Sequence, residues 1–413
     1  MGPAPASAAQ LAAGYGALRP DPAGMLDLPE GFSYKVISQL GDTMDDGFTV
    51  PDHADGMGCF DLGGGKLALV RNHELLPDLD GGGVSGRAFD TVARSLVPLP
   101  GGTTTIVLDA STLAVERQHR SLAGTIRNCA GGITPWGSWL SCEEFTRRAD
   151  GRLNKDHGWV FEVPADAPGL VDPRPLEAMG RFNHEAACVD PATGIVYLTE
   201  DRDDSLLYRF IPDTPGKLAE GGRLEALALE EISDTRNWAS TAMAPREAHD
   251  ARWIALDEVH APEDDLRLRG AAAGATVFAR GEGIWMGEGE MFFACTSGGA
   301  IREGQIFRLQ PDRSGPGRLE LYFESASHDQ YSFGDNLTIA PDGHLIVCED
   351  QYTPVVANHL RGIAPDGQPY PFAFLRLQTE LAGACFSPDG RTLFVNAYSP
   401  ARTIAIHGPW KWA

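Results

Sequence analysis

Short apolar runs alternate along the chain with turns rich in glycine, proline and aspartate. The clearest units are ACVDPATGIVYLTED at 187–201, LTIAPDGHLIVCED at 337–350 and ACFSPDGRTLFVNAY at 384–398. In each unit an apolar segment precedes the turn and a second one follows it. Such a unit is expected to form a β-hairpin, because glycine supplies the turn dihedral angles and the flanking residues are β-formers. Helical periodicity is scarce elsewhere. The pattern therefore predicts an all-β architecture built from hairpins.

Three more segments follow the same plan with altered turns. They are GCFDLGGGKLALVRNHE at 58–74, AGGITPWGSWLSCEE at 130–144 and the looser GEGIWMGEGEMFFACTS at 281–297. Six hairpins over 413 residues suit a six-bladed β-propeller whose blades carry additional outer strands. We expect residues 1–30 to form an N-terminal extension and residues 31–413 to form a single propeller domain.

Acidic residues recur at equivalent places once the hairpins are aligned by their turns. The second strands end at Glu74, Glu143, Glu200, Glu349 and Asn396. The first strands are preceded by Asp55, Cys129, Glu185, Glu282 and Asp335. If each hairpin is the innermost pair of a blade, these side chains return to one end of the central channel. The alignment therefore predicts a ring of acids at one mouth of that channel.

The charge of the chain bears on what this ring binds. With 57 acidic and 34 basic residues the net charge is −23, which disfavours nucleic acid and anionic membranes as partners because both repel a polyanion. Carboxylates that lie close together repel one another, so they share protons, pair with arginine or hold metal ions. The arginines near the repeated positions are few, namely Arg71, Arg127, Arg202 and Arg280. Bound cations are therefore the expected solution.

The kinds of ligand point to two kinds of ion. Carboxylate oxygens in quantity favour calcium, which takes roughly six to eight oxygen ligands. Cys129 stands in NCAGG outside any apolar run, and a thiolate ligand implies a softer ion such as iron or zinc. A mixed site can polarise a phosphoryl or carbonyl oxygen and activate a nucleophile. Arg280, in ARGEG, can clamp an anionic substrate or pair with the acids.

Other well-known signatures are missing from the sequence. It has no G-x-S-x-G elbow, H-E-x-x-H helix, P-loop or EF-hand loop. Its seven cysteines include no C-x-x-C pair, which argues against a disulfide framework and against a zinc ribbon. No apolar run reaches the roughly 18 residues of a membrane span, and the first residues do not read as a secretory signal. His73 and His184, in two NHE tripeptides, are expected to have structural, hydrogen-bonded roles.

Several motifs together resemble one known family. RNHE, NCAGGITPWGSWLSCEE, FNHEAACVDPATGIVYLTED, RGEG, GDNLTIAPDGHLIVCEDQ and ACFSPDGRTLFVNAYSP are similar to the PhoX family of bacterial alkaline phosphatases, from about residue 31 to residue 410. The resemblance implies a six-bladed propeller with an iron–calcium cluster at one mouth of its channel. Two ferric ions and several calcium ions would share a bridging oxide, the nucleophile that cleaves phosphate monoesters. The resemblance also implies folded export by the twin-arginine route to the periplasm or outside the cell.

Carried over by motif, the resemblance assigns roles to individual residues. The metal ligands would be Cys129, Glu143, Glu144, Glu185, Glu282, Asp335 and Glu349. Arg280 resembles the catalytic arginine that contacts phosphate. The family also has a phosphate-binding lysine shortly before the cysteine; QHRSLAGTIRN has none, so Arg120 or Arg127 would take its place. Weaker candidates near the ring are Glu74, Glu200, Asp201, Asp204 and Asn336.

Three functions remain open from the sequence. The first is a metal-dependent phosphomonoesterase that acts, as a monomer, on a small phosphate ester. The second is a calcium-dependent propeller hydrolase acting on lactones or phosphodiesters, which would not need the thiolate of Cys129. The third is a non-catalytic calcium-binding propeller, against which the position of Arg280 beside the acids argues. Metal analysis separates them, since only the first predicts iron together with calcium.

Overall fold

The computed structural model describes residues 14–84, 86–93, 95–312 and 317–412. These residues form 26 strands, one α-helix (α1, Leu266–Ala272) and two short 3-10 helices, Glu177–Met179 and Leu218–Glu220. The strands of the first half are β1 Leu18–Arg19, β2 Leu26–Pro29, β3 Ser33–Gln39, β4 Ala54–Gly63, β5 Lys66–His73, β6 Gly101–Asp109, β7 Val115–Thr125, β8 Asn128–Ile133, β9 Ser138–Glu143, β10 Val160–Pro164, β11 His184–Val189, β12 Val196–Glu200 and β13 Tyr208–Pro212. Those of the second half are β14 Gly222–Leu229, β15 Ala248–Ala255, β16 Gly281–Met286, β17 Met291–Cys295, β18 Gln305–Gln310, β19 Gly317–Glu324, β20 Gly334–Ile339, β21 Leu345–Glu349, β22 His359–Ile363, β23 Pro369–Leu375, β24 Leu381–Phe386, β25 Thr392–Ala397 and β26 Arg402–His407. The predicted all-β class is confirmed.

Each of the six predicted hairpins is present as an antiparallel pair of consecutive strands. The pairs are β4 with β5, β8 with β9, β11 with β12, β16 with β17, β20 with β21 and β24 with β25. Their first strands lie side by side in a closed order, in which β4, β8, β11, β16, β20 and β24 follow one another and β24 returns to β4. The first strand of each hairpin is thus the innermost strand of its unit, and the arrangement is propeller-like.

Five hydrogen-bonded sheets surround this axis in the described part of the chain. One of them contains nine strands, because residues 248–251 of β15 pair with residues 317–320 of β19 and join two meanders that begin on β11 and β16. In another, the early strand β3 pairs along its length with the late strand β26. That pairing ties the beginning of the described chain to its end.

The predicted N-terminal extension contributes two short strands. β1 pairs with β2, and β2 pairs with β23 at the outer side of the sheet that carries β20. Asp27 of β2 accepts hydrogen bonds from Nε and Nη2 of Arg376, both at 2.7 Å. Residues 1–13 lie outside the described residues.

Apolar side chains between neighbouring units form the core. Around the last unit Leu393, Val395, Ile404 and Ile406 are fully buried, and each such side chain contributes about 1.5–3 kcal/mol to folding. All seven cysteines are buried and free, as their spacing predicts. None of the helices in the described ranges is long and apolar enough to cross a membrane.

The innermost pair of every unit has an irregular register close to its first residue. The breaks lie between Ala54 and Met57, Asn128 and Gly131, His184 and Ala187, Gly281 and Ile284, Gly334 and Leu337, and Ala382 and Cys385. Bulges of this kind redirect side chains. At the same level the innermost strands approach closely, since a Cβ on Gly56 would lie 2.5 Å from Cα of Ala130. The strands therefore converge where the acid ring is predicted.

Candidate metal and phosphate site

One backbone hydrogen bond recurs at the mouth of all six units. The residue that follows the second strand donates its N–H to the carbonyl oxygen of the residue that precedes the first strand, with N to O distances between 2.9 and 3.3 Å. The six pairs, donor first, are Glu74 and His53, Glu144 and Arg127, Asp201 and Asn183, Thr296 and Arg280, Asp350 and Phe333, and Tyr398 and Glu380. Each unit therefore brings two residues together at the mouth of the channel.

A cavity of about 510 Å³ opens at this mouth. Most of the paired residues line it, namely His53, Glu74, Arg127, Glu144, Asp201, Arg280, Asp350, Glu380 and Tyr398. A second set of lining residues comes from the second position of the innermost strands, and it consists of Asp55, Cys129, Glu185, Glu282 and Asp335. The sixth innermost strand has Ala382 at that position. Leu76, Leu79, Phe145 and Tyr352 complete the lining.

Ligand atoms from both sets meet in three overlapping groups. Within each group one oxygen or sulfur atom of every member lies within 4.8 Å of the others. The groups are Asp55, Glu74 and Cys129; Cys129, Glu144 and Glu185; and Glu185, Glu282 and Asp335. Cys129 belongs to the first two groups and Glu185 to the last two. The fold thus gathers buried acids and one thiol from five of the six units.

The electrostatics of these groups are unfavourable unless positive charge is present. Burial, and then the charge of neighbouring carboxylates, raises the pKa of Asp55, Glu185 and Asp335, and the same causes raise the pKa of Glu282. Burial and the negative charge of Asp55 also raise the pKa of the Cys129 thiol. Protons or cations must therefore compensate these groups, and a bound metal displaces the protons.

Glu185 shows that a cation fits this site. The residue is 1% exposed, and neither of its carboxylate oxygens has a hydrogen-bond partner among the described residues. An uncompensated buried carboxylate costs several kcal/mol. Because the oxygens of Glu185 belong to two of the three ligand groups, a metal ion is the partner that they lack. Carboxylates with one thiol are a donor set for a hard cation beside a softer one.

Arg127 and Arg280 extend into the cavity from a strained backbone. Their φ angles are 47° and 54°, and the equivalent residues His53 and Phe333 have 53° and 50°. The left-handed conformation costs a residue other than glycine about 1–2 kcal/mol. The recurrent hydrogen bond to the carbonyl oxygen of each of these residues helps to hold that conformation.

Both guanidinium groups pair with cavity acids. Nε of Arg127 lies 2.7 Å from Oε1 of Glu74, and its Nη2 lies 3.0 Å from Oε2 of Glu144. Arg280 donates from Nε and Nη2 to the two oxygens of Asp201, at 2.7 and 3.0 Å. Burial lowers the pKa of both arginines, but the neighbouring carboxylates outweigh it. Glu144 and Glu74 raise the pKa of Arg127. Glu282 and Asp201 raise the pKa of Arg280. Two permanently charged anion-binding groups therefore flank the cavity.

Glu143, one of the predicted metal ligands, does not line the cavity. Its side chain is fully buried, and its oxygens accept hydrogen bonds at 2.7–3.2 Å from the backbone N–H groups of Ile126, Gly158 and Trp159 and from Nδ1 of His157. These donors occupy both oxygens. Glu143 therefore anchors the backbone before Arg127 and, with both oxygens occupied, is not placed to bind a metal ion in the cavity.

Glu349 has the same surroundings in another unit. It accepts from the N–H groups of Ser332 and His359, and its Oε1 lies 2.7 Å from Nε of Arg361. Although burial acts in the opposite direction, Arg361 and His359 lower the pKa of Glu349. Glu349 likewise anchors the backbone, here before Phe333, and it does not line the cavity in which a metal ion would bind.

A shift of one residue explains why the alignment by turns selected these two acids. Glu143 and Glu349 pair directly with Asn128 and Gly334, the first residues of their innermost strands. Glu74 lies one position further along its unit, where its equivalents are Glu144, Asp201 and Asp350. Because side chains alternate along a strand, a shift of one position turns them to the opposite side.

The other predicted candidates divide between the cavity and its surroundings. Glu200 lies outside the cavity, where it accepts a hydrogen bond from the hydroxyl of Tyr208 and burial raises its pKa to about 7. Asp204 pairs with Nε of Arg267 at 2.8 Å. Asn336 does not line the cavity and donates to Oδ1 of Asp335 at 2.9 Å.

Of the two arginines considered as replacements for a lysine, only Arg127 reaches the cavity. Arg120 is buried and donates to the carbonyl oxygens of Gly81, Pro100 and Gly101. The histidines of the NHE tripeptides are hydrogen-bonded inside the protein, His73 to Asp52 and Thr104 and His184 to Gly180. Their predicted structural roles are confirmed.

Five polar cavity residues belong neither to the predicted acid ring nor to the predicted site residues. They are His53, Asp350, Tyr352, Glu380 and Tyr398. One signal was available, since Cys348-Glu349-Asp350 repeats the pattern of Cys142-Glu143-Glu144. Pairing Asp350 with Glu144 would have placed Asp350 in the cavity. The others come from loops whose positions do not follow from hydrophobic periodicity.

The chain resembles known proteins in sequence and in fold. Residues 13–109 and 102–401 match the family described as alkaline phosphatase PhoX. Among solved structures, the chain is similar to Pseudomonas fluorescens PhoX in complex with vanadate, a transition-state analogue, with 19% identity and a TM-score of 0.73 over 93% of this chain and 96% of that one. It is also similar to XC5397 from Xanthomonas campestris, a gluconolactonase, with 13% identity and a TM-score of 0.44 over 96% of this chain and 98% of that one. The comparison with curated proteins found no match.

The family match extends over nearly the whole chain, and the P. fluorescens PhoX structure shows the same fold. The motifs that carried the resemblance include Cys129, Glu185, Glu282 and Asp335, which line the cavity. The chain belongs to the alkaline phosphatase PhoX family, a family of phosphoric monoester hydrolases.

Proposed function

We propose that this protein hydrolyses small phosphate monoesters in the acidic cavity, with metal ions held between the six units. The observation that carries the proposal is Glu185, whose two buried oxygens lack a hydrogen-bond partner among the described residues although other acids lie within 4.8 Å. A site built only for structural stability would leave no such carboxylate unpaired, because its desolvation is unfavourable.

The ions we propose are iron and calcium. Cys129 and the carboxylates of Asp55, Glu74, Glu144, Glu185, Glu282 and Asp335 would hold them, since these residues form the three ligand groups. Asp201, Asp350 and Glu380 line the same cavity and are able to complete the coordination of calcium. When bound, the iron–calcium cluster would polarise the phosphoryl group and supply a bridging oxide as nucleophile.

Arg280 and Arg127 bind and orient the substrate in this proposal. Arg280 is held by Asp201 and by the hydroxyl of Tyr352, which accepts from Nη2 at 3.1 Å, so little conformational entropy remains to be lost on binding. Positioned guanidinium groups neutralise the charge that develops on phosphoryl oxygens in the transition state. Arg280 is the residue we propose to be catalytic, and Arg127 supports binding from the lining of the same cavity.

Several further features belong to the same proposal. We propose a six-bladed propeller formed by residues 31–413, because six innermost hairpins surround the axis and each has the same mouth hydrogen bond. Residues 1–30 would be an N-terminal extension, of which β1 and β2 pack beside β23. Membership of the PhoX family supports action in the periplasm or outside the cell, after export by the twin-arginine route. We propose that the protein acts as a monomer.

The test combines elemental analysis with an activity assay. Purified protein should contain iron and calcium and should hydrolyse 4-nitrophenyl phosphate at alkaline pH. Cys129→Ala should lose iron and activity together, whereas Arg280→Ala should keep its metals and lose activity by about a hundredfold or more. Equal hydrolysis rates in all three proteins would exclude the proposed site.

A further inference from the structure

The six mouth positions that precede the innermost strands point to a substrate contact beyond those of Arg127 and Arg280. The residues there are His53, Arg127, Asn183, Arg280, Phe333 and Glu380. We propose, building on the proposed function, that His53 contacts the substrate directly. Its imidazole donates a hydrogen bond to a phosphoryl oxygen of the bound ester, as a third contact beside Arg127 and Arg280.

The backbone gives His53 the same presentation as the two arginines. Among these six positions His53, Arg127, Arg280 and Phe333 have left-handed backbones, with φ between 47° and 54°. Three of these four have a side chain that donates hydrogen bonds, and those three line the cavity. Phe333 packs against the ring of Tyr352, with ring centroids 5.4 Å apart. The strained conformation thus accompanies a cavity-lining donor in three separate units.

The ring of His53 is held in place and retains hydrogen-bonding capacity. It packs edge-on against the ring of Tyr398, with centroids 4.7 Å apart, and Tyr398 donates its hydroxyl to Oε2 of Glu74 at 2.5 Å. Nδ1 of His53 is buried and has no partner among the described residues, so Nε2 is the ring nitrogen that would donate to a substrate. Both ring nitrogens of His73, on the adjacent strand β5 of the same unit, are occupied instead. His53 is therefore oriented without being committed to a structural bond.

The surrounding charges explain what a further donor adds. Arg127 is engaged by Glu74 and Glu144, and Arg280 by Asp201 and Glu282, so each guanidinium already shares its protons with carboxylates. In the transition state the phosphoryl group, with the negative charge that develops on its oxygens, also faces the negative potential of the remaining cavity acids. A donor that is not already paired with a carboxylate can direct its N–H to the substrate without breaking an ion pair. His53 is such a donor at this mouth.

The test measures phosphate binding directly, so that it does not depend on turnover. Inorganic phosphate is titrated calorimetrically into the metal-loaded wild type and into His53→Asn, and the KM and kcat for 4-nitrophenyl phosphate are measured in parallel. Asparagine tolerates the left-handed backbone but does not reach as far as imidazole. We expect the dissociation constant of phosphate and the KM to rise about tenfold or more, with a smaller change in kcat and an unchanged metal content.

Three further variants separate a contact from a structural role. His53→Gln places an amide N–H close to the position of Nε2 and should recover part of the affinity. His53→Gly keeps the left-handed backbone and provides a second protein if His53→Asn folds poorly. His249→Asn is the matched control, because His249 lies on β15, outside the cavity lining, and its Nε2 lies 3.0 Å from Oε1 of Glu247. The kinetics of His249→Asn should equal those of the wild type.

Each contrary outcome has a distinct meaning. Unchanged phosphate affinity in both His53→Asn and His53→Gly overturns the contact, and if the wild type still hydrolyses the ester the proposed function survives. Loss of metal in these variants overturns it as well, since His53 would then be a ligand. A wild type that binds no phosphate and cleaves no ester overturns the contact together with the proposed function.

Discussion

Glu143 and Glu144 are neighbours in the sequence and have opposite surroundings in the structure. Glu143 is enclosed by protein donors that occupy both of its oxygens. Glu144 lines the cavity, pairs with Arg127 and lies among the ligand atoms of Cys129 and Glu185. The charge of Glu143 is therefore compensated by hydrogen-bond donors of the protein, whereas Glu144 shares a buried space with other acids.

The same division holds across the molecule. We refer to Glu143 and Glu349 as the anchoring carboxylates and to Asp55, Glu144, Glu185, Glu282 and Asp335 as the cavity carboxylates. Anchoring carboxylates fix the backbone just before an innermost strand, next to Arg127 in one unit and Phe333 in another. Cavity carboxylates repel one another unless cations or protons intervene. One set should therefore matter for folding and the other for metal binding and catalysis.

The largest expected effect follows from changing the cavity carboxylate that lacks protein partners. Glu185→Gln should reduce hydrolysis of 4-nitrophenyl phosphate by more than about a hundredfold, because removal of a metal ligand disrupts the ion that it positions. After chelation the variant should be more resistant to urea than chelated wild type, since it no longer buries an unpaired charge. Activity assays and urea titrations of both proteins check this prediction. A chelated variant that is less stable than the chelated wild type would contradict it.

An anchoring carboxylate should show the opposite response. Glu143→Gln should lower the free energy of unfolding by about 3–5 kcal/mol, because it breaks a buried charged network and puts an amide N–H against backbone donors. Metal content per folded molecule should stay unchanged. Glu144→Gln is the matched comparison and should destabilise chelated protein less than Glu143→Gln does, because loss of the pair with Arg127 is offset by relief of repulsion from neighbouring carboxylates. Urea unfolding with elemental analysis measures both quantities, and equal losses of stability in the two variants would remove the distinction.

The pH dependence of stability sharpens the comparison through His157. Burial favours the neutral ring, but the carboxylates of Glu143 and Asp90 raise the pKa of His157 from 6.5 to about 9. A raised histidine pKa stabilises the folded state fully below the unfolded value of 6.5, and this contribution is lost as pH rises through about 9. The contribution is about 3 kcal/mol at its largest, from about 1.4 kcal/mol per pKa unit. Urea unfolding of wild type and His157→Gln between about pH 6 and about pH 10, a range that spans both pKa values, should show the stability difference between the two proteins shrinking at the alkaline end. A constant difference would exclude this assignment.

The smallest effect is expected at an acid outside both sets. Asp204 pairs with Arg267, and its side chain is 42% exposed. Asp204→Asn should change stability by less than about 1 kcal/mol, because exposed ion pairs contribute little. Its metal content and kinetics should equal those of the wild type, whereas Asp201→Asn should impair catalysis by releasing Arg280. Parallel kinetics of the two variants measure the difference, and a large defect in Asp204→Asn would extend the site beyond the cavity.

The hairpins were predictable because their signals are local. In ACVDPATGIVYLTED the turn residues and both strands lie within one short segment, and the structure has β11 and β12 there. The pairing of β15 with β19 and of β3 with β26 joins segments far apart in the chain. No short-range pattern specifies such partners, so neither pairing could be predicted.

The sequence predicted the kinds of residue that line the cavity better than it predicted which of two adjacent acids faces it. Cys129, Glu185, Glu282 and Asp335 occupy the second position of innermost strands, which a repeated motif identifies. The choice between Glu349 and Asp350 depends on a bulge, because one extra residue turns the following side chains to the opposite face. Bulges and left-handed residues such as His53 depend on contacts between units, and the sequence of one unit does not contain that information.

Elemental analysis of the purified protein is the most direct test of the central claim, that the cavity carboxylates are held together by cations. The account predicts iron and calcium that remain bound to wild type through gel filtration, are lost in Glu185→Gln and are retained in Glu143→Gln. Folded, active wild-type protein without bound metal would contradict it, and so would equal metal contents in all three proteins.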